Sequence, residues 1–157
     1  VRVSQFIENY TGITNQMVQD APDAAEVMRA FADFIGDKPL VAHNASFDRR
    51  FLNTEFALIG QGSRDNFGCS MLISRRVYPD APNHKLETLV RYKELQTDGT
   101  FHRALADAEM TAYLWMSMSE DLRSLYGFDQ VPFVLMRELA KVPKAQVGAY
   151  LLRLLNS

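Results

Sequence analysis

The sequence predicts an α/β fold, and three observations carry that reading. Strand-like and helix-like segments alternate through about residue 80. The run Pro39-Leu40-Val41-Ala42-His43 is short and apolar, with turn or polar residues on both sides, as a buried strand requires. Ahead of it, Ala24, Val27, Met28, Phe31, Phe34 and Ile35 recur at three- and four-residue spacing, which is one face of a helix. The chain has 157 residues, 47% hydrophobic and 23% charged, a globular balance that excludes disorder of the whole chain.

The elements follow in order. Residues 1–13 read as a loop or a strand end, with Thr11-Gly12 as a turn signal. Thr14 is placed to cap a short helix containing Met17 and Val18. Asp23 opens the next helix and Gly36 closes it. The strand at 39–43 leads into a helix over 46–58, with Phe47, Phe51, Leu52 and Phe56 inward. Residues 60–66 are a loop, and 67–69 a short strand that feeds a helix over 70–78. Residues 79–83 form a turn-rich loop, 86–95 an amphipathic helix, and 96–101 another loop. The longest helix runs from Ala104 to about Leu125, with Leu105, Ala108, Ala112, Trp115 and Met116 inward. Residues 132–155 read as two helices broken at Pro143. The expected division is a domain over 1–125 and a helical extension over 126–157. Two or three short strands are few for so many apolar helices.

Charge and composition exclude several functions. The longest apolar run, Ala112 to Met116, is far short of the ~20 residues that span a bilayer. The opening VRVSQFIENY is not an apolar signal segment. The single cysteine, Cys69, excludes a disulfide framework and fits a reducing, cytoplasmic setting. The net charge of −2 argues against nucleic-acid binding by general counterion release. Any such partner has to be gripped locally, through a metal or a small basic patch.

Two motifs carry chemistry. In Val41-Ala42-His43-Asn44-Ala45-Ser46-Phe47-Asp48 a strand runs into a polar turn, and a carboxylate opens the next helix. Ligand sites in α/β sheets lie off the carboxyl ends of strands. Asn44 and Asp48 therefore point at a crevice, or else Asn44 ends the strand and Asp48 answers the helix dipole. In His102-Arg103-Ala104-Leu105-Ala106-Asp107-Ala108 a carboxylate sits among the small residues Ala104, Ala108 and Thr111. A carboxylate there is costly unless paired or metal-bound. On one helix His102 and Asp107 lie roughly 140° apart, so His102 joins Asp107 only from the preceding loop.

Together the motifs resemble the DnaQ-like 3′–5′ exonucleases, the DEDDh branch of the RNase H-like superfamily, which includes the proofreading epsilon subunit of bacterial DNA polymerase III. The resemblance extends over about residues 11–120 and includes Thr11-Gly12-Ile13-Thr14, His43 to Phe51, Cys69 to Pro82, Asn83-His84-Lys85-Leu86 and His102 to Ala108. It implies an RNase H-like exonuclease fold. It implies phosphodiester hydrolysis with two Mg2+ or Mn2+ ions about 3.5–4 Å apart, held by carboxylates. By resemblance Asp48 and Asp107 are metal ligands and His102 is the general base. The resemblance further implies that Thr11, Gly12, Ile13, Asn44 and Phe47 face the 3′ end of single-stranded DNA or RNA, with Ile13 and Phe47 against the terminal base or, for Phe47, equally a place in the core. The resemblance implies a polymerase subunit as protein partner, and the exposed edge expected of strand 39–43 invites a second copy of the chain.

The chain departs from the family at one point. The family's first motif, Asp-x-Glu on an opening strand, supplies two more carboxylates from one face of that strand. The only Asp-x-Glu here is Asp107-Ala108-Glu109, on a helix, where positions i and i+2 diverge by about 200°. In the family that motif lies well upstream of Thr-Gly-Ile-Thr, a segment that only ten residues precede in this sequence. The expectation is a fragment lacking the opening antiparallel strands, impaired as an enzyme. The alternative is a catalytically incomplete scaffold or polymerase-docking module. Arg49, Arg50, Arg75, Arg76, Lys85 and Arg103 are candidates for phosphate contact or for solvated helix faces.

Overall fold

The computed structural model describes residues 2–96 and 104–156. Within these the chain forms α1 (Gln5–Thr11), α2 (Asn15–Gln19), α3 (Ala24–Ile35), β1 (Leu40–Ala42), α4 (Ala45–Leu58), β2 (Phe67–Cys69), α5 (Ser70–Val77), α6 (Leu86–Tyr92), α7 (Ala104–Tyr126), α8 (Phe133–Leu139) and α9 (Val147–Leu155). A 3₁₀ turn, Lys144–Gln146, joins α8 to α9 after Pro143. The α/β expectation stands, in a helix-rich form with one small sheet.

That sheet is parallel, with Leu40 opposite Phe67, Val41 opposite Gly68 and Ala42 opposite Cys69. Both strands therefore end level, and the carboxyl edge of the sheet presents the starts of α4 and α5 side by side. The Leu40 N–H donates to the Asn66 carbonyl at 3.0 Å. Alternation along the strand then turns the Val41 N–H and C=O away from β2, to an edge that no other described strand occupies.

The main core lies on the β2 side. It joins Ile73 of α5, Leu89 of α6, Leu114, Met118 and Leu122 of α7, Met136 and Leu139 of α8, and Val147 and Leu151 of α9. The C-terminal helices thus share this core with α5–α7. Gly68 sits at its tightest point. A Cβ there would lie 2.7 Å from Trp115 Cη2 and 2.9 Å from Phe133 Cε2, rings that stack at 5.7 Å. Absence of a side chain lets α7 and α8 close over β2. The smaller core, Ala32, Ile35, Leu52 and Phe56, joins α3 to α4.

Several expectations need correction. Residues 5–11 are helical, where a loop or strand end was expected. The Ser4 hydroxyl accepts from the Ile7 N–H, and Gly12, at φ 71°, donates its N–H to the Glu8 carbonyl at 2.8 Å. Phe6 and Tyr10 stack one turn apart. Caps and a local pair stabilise a seven-residue helix that buries nothing, so no inward face marks it in the sequence. Helix α7 is rotated from the expected face. Met110, Thr111, Leu114, Met118 and Leu122 are buried, whereas Leu105 is 74% exposed and Ala108, Ala112 and Met116 face outward. On α4, Leu52 and Phe56 are inward as expected, but Phe47 and Phe51 are exposed. On α3, Val27 and Phe34 point outward, Phe34 at 79% exposure. Of these, Phe47 and Phe51 line a cavity with Leu40, Val41 and Ala42 of β1. α6 ends at Tyr92, not 95, because Glu94 takes a positive φ of 51°.

Candidate active site

The site begins where β1 stops. His43 follows the strand, and both ring nitrogens are engaged: Nε2 lies 3.0 Å from the His84 carbonyl and Nδ1 2.9 Å from Ser70 Oγ. A carbonyl only accepts, so Nε2 carries the proton, and the one Ser70 hydroxyl proton is shared between Nδ1 and the Ala42 carbonyl at 3.3 Å. Burial pushes this imidazole below the usual histidine range, partly offset by the bond to the His84 carbonyl. His43 is a neutral strut that ties the β1 turn to the starts of α5 and α6.

Asn44 takes the left-handed conformation, φ 69° and ψ 46°, which Asn tolerates better than most residues. With His43 it turns the chain from strand into helix in two residues. Asp48 consequently falls in the first turn of α4, close above the sheet's carboxyl edge. Asp107 comes to the same place from the first turn of α7. Both line one cavity of about 620 Å³, walled by Val41, Ala42, His43, Lys85, Leu86, Glu87, Ala104, Ala108 and Thr111. The small residues of α7 keep the approach to Asp107 open. Neither carboxylate has a hydrogen-bonded or ion-paired partner among the described residues.

Glu87 also lines this cavity, a residue the sequence does not single out. Its carboxylate is paired to Arg91, one turn on, at 2.6 Å, which withdraws it from free coordination. Lys85 adds a positive charge at the rim, with its N–H held by Asn83 Oδ1 at 3.0 Å. The segment Asn83-His84-Lys85-Leu86, part of the family resemblance, marks it in the sequence. His102, the expected general base, lies outside the described residues.

Two unpaired carboxylates are hard oxygen donors and fit one Mg2+ or Mn2+ that keeps several waters. Among the described residues no three His, Cys, Asp or Glu side chains converge as a metal cage, so these residues alone do not frame a pair of ions.

The other expected site residues are dispersed. Phe47, 60% exposed, lines a second cavity of about 450 Å³ along the open β1 edge, with Met28, Phe31, Phe51 and Ala104. Asp48 lines this cavity too and so stands on the wall between the two. Asn44 opens onto a third cavity, on the far side of the β1 turn. Thr11, Gly12 and Ile13 form the end of α1. The Thr11 hydroxyl donates to the Ile7 carbonyl at 2.7 Å and accepts from the Ile13 N–H at 3.2 Å. None of the three lines either cavity bordered by Asp48.

Comparison with known proteins bears on this geometry. A family model described as Exonuclease (RNase T) matches residues 1–115. The PolC-type DNA polymerase III of Bacillus subtilis is 41% identical over 121 residues, 76% of this chain and 8% of that protein. That of Halalkalibacterium halodurans is 43% identical over 132 residues, 82% of this chain and 9% of that protein. That of Caldanaerobacter subterraneus is 34% identical over 149 residues, 94% of this chain and 11% of that protein. The chain thus spans about a tenth of the length of these relatives. Among solved structures, exonuclease X in complex with 5′ overhanging duplex DNA superposes with a TM-score of 0.65 at 26% identity. That match covers 89% of this chain and 75% of the other.

Proposed function

The chain belongs to the DnaQ-like exonuclease family, and from that premise we propose that it is the exonuclease part of a proofreading machine, removing nucleotides from DNA 3′ ends. One observation carries the proposal: Asp48 from the β1–α4 turn and Asp107 from α7 line a single cavity at the carboxyl edge of the sheet. The DNA-directed, polymerase-linked setting is supported by likeness to PolC-type DNA polymerase III chains.

In this reading Asp48 and Asp107 hold a divalent cation, Mg2+ or Mn2+. When bound, the ion supplies charge stabilisation at the phosphodiester undergoing hydrolysis. His102 takes the proton from the attacking water, a task for a side chain titrating near neutrality. Lys85 offsets phosphate charge at the rim. Phe47 presents an exposed ring beside Asp48 on which a terminal base stacks without regard to its identity. His43 stays neutral and holds the turn in place.

A second reading has its own observation. Only two unpaired carboxylates converge among the described residues, which favours a docking or scaffold role for these 157 residues taken alone. Two dications held by two acids repel strongly, so this chain is expected to bind a single ion weakly and to cleave little.

Two measurements test the assignment. In an Mn2+ titration of the isotope-labelled chain, paramagnetic broadening centres on residues around Asp48 and Asp107 and disappears in Asp48→Asn. Gel assay of 5′-labelled single-stranded DNA with Mg2+ shows shortening from the 3′ end, weak for this chain. His102→Ala slows that turnover by about 10²–10⁴-fold while retaining Mn2+ broadening. Broadening elsewhere, or full Mg2+-dependent digestion by Asp48→Asn, sinks the assignment.

A further inference from the structure

The third cavity lies across the β1 turn from the carboxylates. His43 faces Asp48 and Asp107, while Asn44, Ala45 and Ser46 face this other space of about 320 Å³. Its wall is apolar, made by Phe67 of β2, Met71 and Leu72 of α5 and Ala140 at the end of α8. Its rim is cationic, with Arg49, Arg137 and Lys141.

The three cations differ in commitment. The Arg49 side chain has no hydrogen-bond or ion-pair partner among the described residues. Arg137 is held in place, with Nη1 donating to Asn66 Oδ1 at 2.8 Å. Its Nε is shut from solvent without a hydrogen bond. Lys141 Nζ lies 2.8 Å from Glu138 Oε1, and the same carboxylate oxygen is 3.7 Å from Arg137 Nε. One carboxylate thus answers Arg137 and Lys141, and Arg49 is left unanswered. A chain with net charge −2 concentrates positive charge here, beside an apolar recess.

We propose that this cleft binds one nucleotide unit of a nucleic-acid strand, with its phosphate on Arg49, Arg137 and Lys141 and its base against Phe67, Met71 and Leu72. The unpaired Arg49 fork matches phosphate oxygens in a pair, Arg137 adds charge and its remaining Nη2, and an apolar wall accepts any base face. The volume is at the small end for ligand sites, about 300–1,000 Å³, and suits a single nucleotide. The choice of a nucleotide over another organic anion rests on the nuclease reading. The cleft and the carboxylate cavity flank the two-residue turn between β1 and α4, so a single strand can occupy both.

The test uses the labelled 157-residue chain in EDTA, free of divalent metal, titrated with deoxyadenosine 5′-monophosphate, deoxyadenosine and inorganic phosphate. The nucleotide shifts amides at residues 44–49, 69–72 and 137–141. Deoxyadenosine and phosphate each bind about tenfold or more weakly, because each keeps half of the contacts. Arg49→Glu, an exposed position, weakens nucleotide binding about tenfold or more without disturbing the remaining spectrum. Arg137→Ala repeats the loss, and rising salt weakens binding in the wild type. Equal binding of phosphate alone means an adventitious ion only and overturns the proposal. Shifts confined to the Asp48 cavity, or an Arg49→Glu variant that binds normally, overturn it as well. Nucleotide shifts here with no Mn2+ broadening at Asp48 and Asp107 remove the nuclease reading and leave the cleft standing. The opposite pattern removes the cleft alone.

Discussion

Two halves of this molecule treat the same kinds of residue differently. On the β2 side, α6 to α9 each bury leucines or methionines and α5 adds Ile73; Leu89, Leu114, Met118, Met136, Leu139 and Leu151 have no solvent exposure. On the β1 side, α3 and α4 share a core of four buried residues and leave Val27, Phe34, Phe47 and Phe51 in water. The carboxylates stand at the seam, Asp48 on the sparse half and Asp107 on the helix that anchors the dense half. The difference teaches that the dense half fixes one wall of the site by packing. The other wall depends on a short sheet and one polar turn.

The contrast yields tests in descending order of effect. Leu114→Ala empties a fully buried position in the dense half and is expected to cost about 2–5 kcal/mol in urea unfolding. A cost near that of a surface change breaks the comparison outright. Gly68→Ala drives a methyl into Trp115 and Phe133 and is expected to cost about 1–3 kcal/mol by overpacking. A neutral result means those rings move freely and that α8 is loosely held.

Acid titration probes the seam. Burial holds the His43 pKa in the folded chain below its unfolded value of about 6.5. Below that value the unfolded chain takes up the proton first. The contribution is therefore full above about pH 6.5 and is lost as pH falls towards the folded value. Arg75 and the His84 ring push the same way, while Asp48 and the bond to the His84 carbonyl oppose. Unfolding midpoints measured between pH 7 and 5 should fall in the wild type and stay flatter in His43→Asn; parallel curves refute the strut. The smallest effect belongs to Phe34→Ala, on the sparse half, expected within about 0.5 kcal/mol because the ring is already in water. A loss above about 2 kcal/mol in that variant shows that something covers this face in solution.

The sequence was most legible where local chemistry decides. Asp23 and Gly36 delimit α3, Thr14 caps α2, and Pro143 breaks the C-terminal pair, each by a backbone rule that needs no tertiary partner. It was least legible on α7. Leu105, Met110, Leu114, Trp115, Met116, Met118 and Leu122 surround most of the helix, so periodicity selects no face. The burial of one stripe depends on α5, α6 and α9, which the α7 residues do not encode. Phe47 and Phe51 misled for a related reason: an aromatic residue in a helix is inward only if another element arrives to cover it. In the site, the strand-end turn marked Asp48 and the small residues marked Asp107. Nothing local announces that Glu87 shares their cavity, because α6 reaches it through the fold. Nor does spacing reveal that Arg49 and Arg137, far apart in sequence, share a rim.

The open side of β1 has a kinetic consequence. Leu40 and Ala42 direct their amides into the ladder with β2, and the Val41 amide between them points away from it. In heavy water these three neighbours should therefore lose their protons on different timescales, with Val41 the fastest and its neighbours slower while the sheet persists. That makes one amide a built-in gauge. Any strand that adds to this edge, from the same polypeptide or another, slows Val41 towards its neighbours without altering their own rates much. A helix or an apolar side chain seated on the exposed phenylalanines leaves Val41 without a new backbone acceptor, so its exchange slows only as far as water is excluded. The rate at this single position thus distinguishes pairing from packing on the face that the described residues leave uncovered.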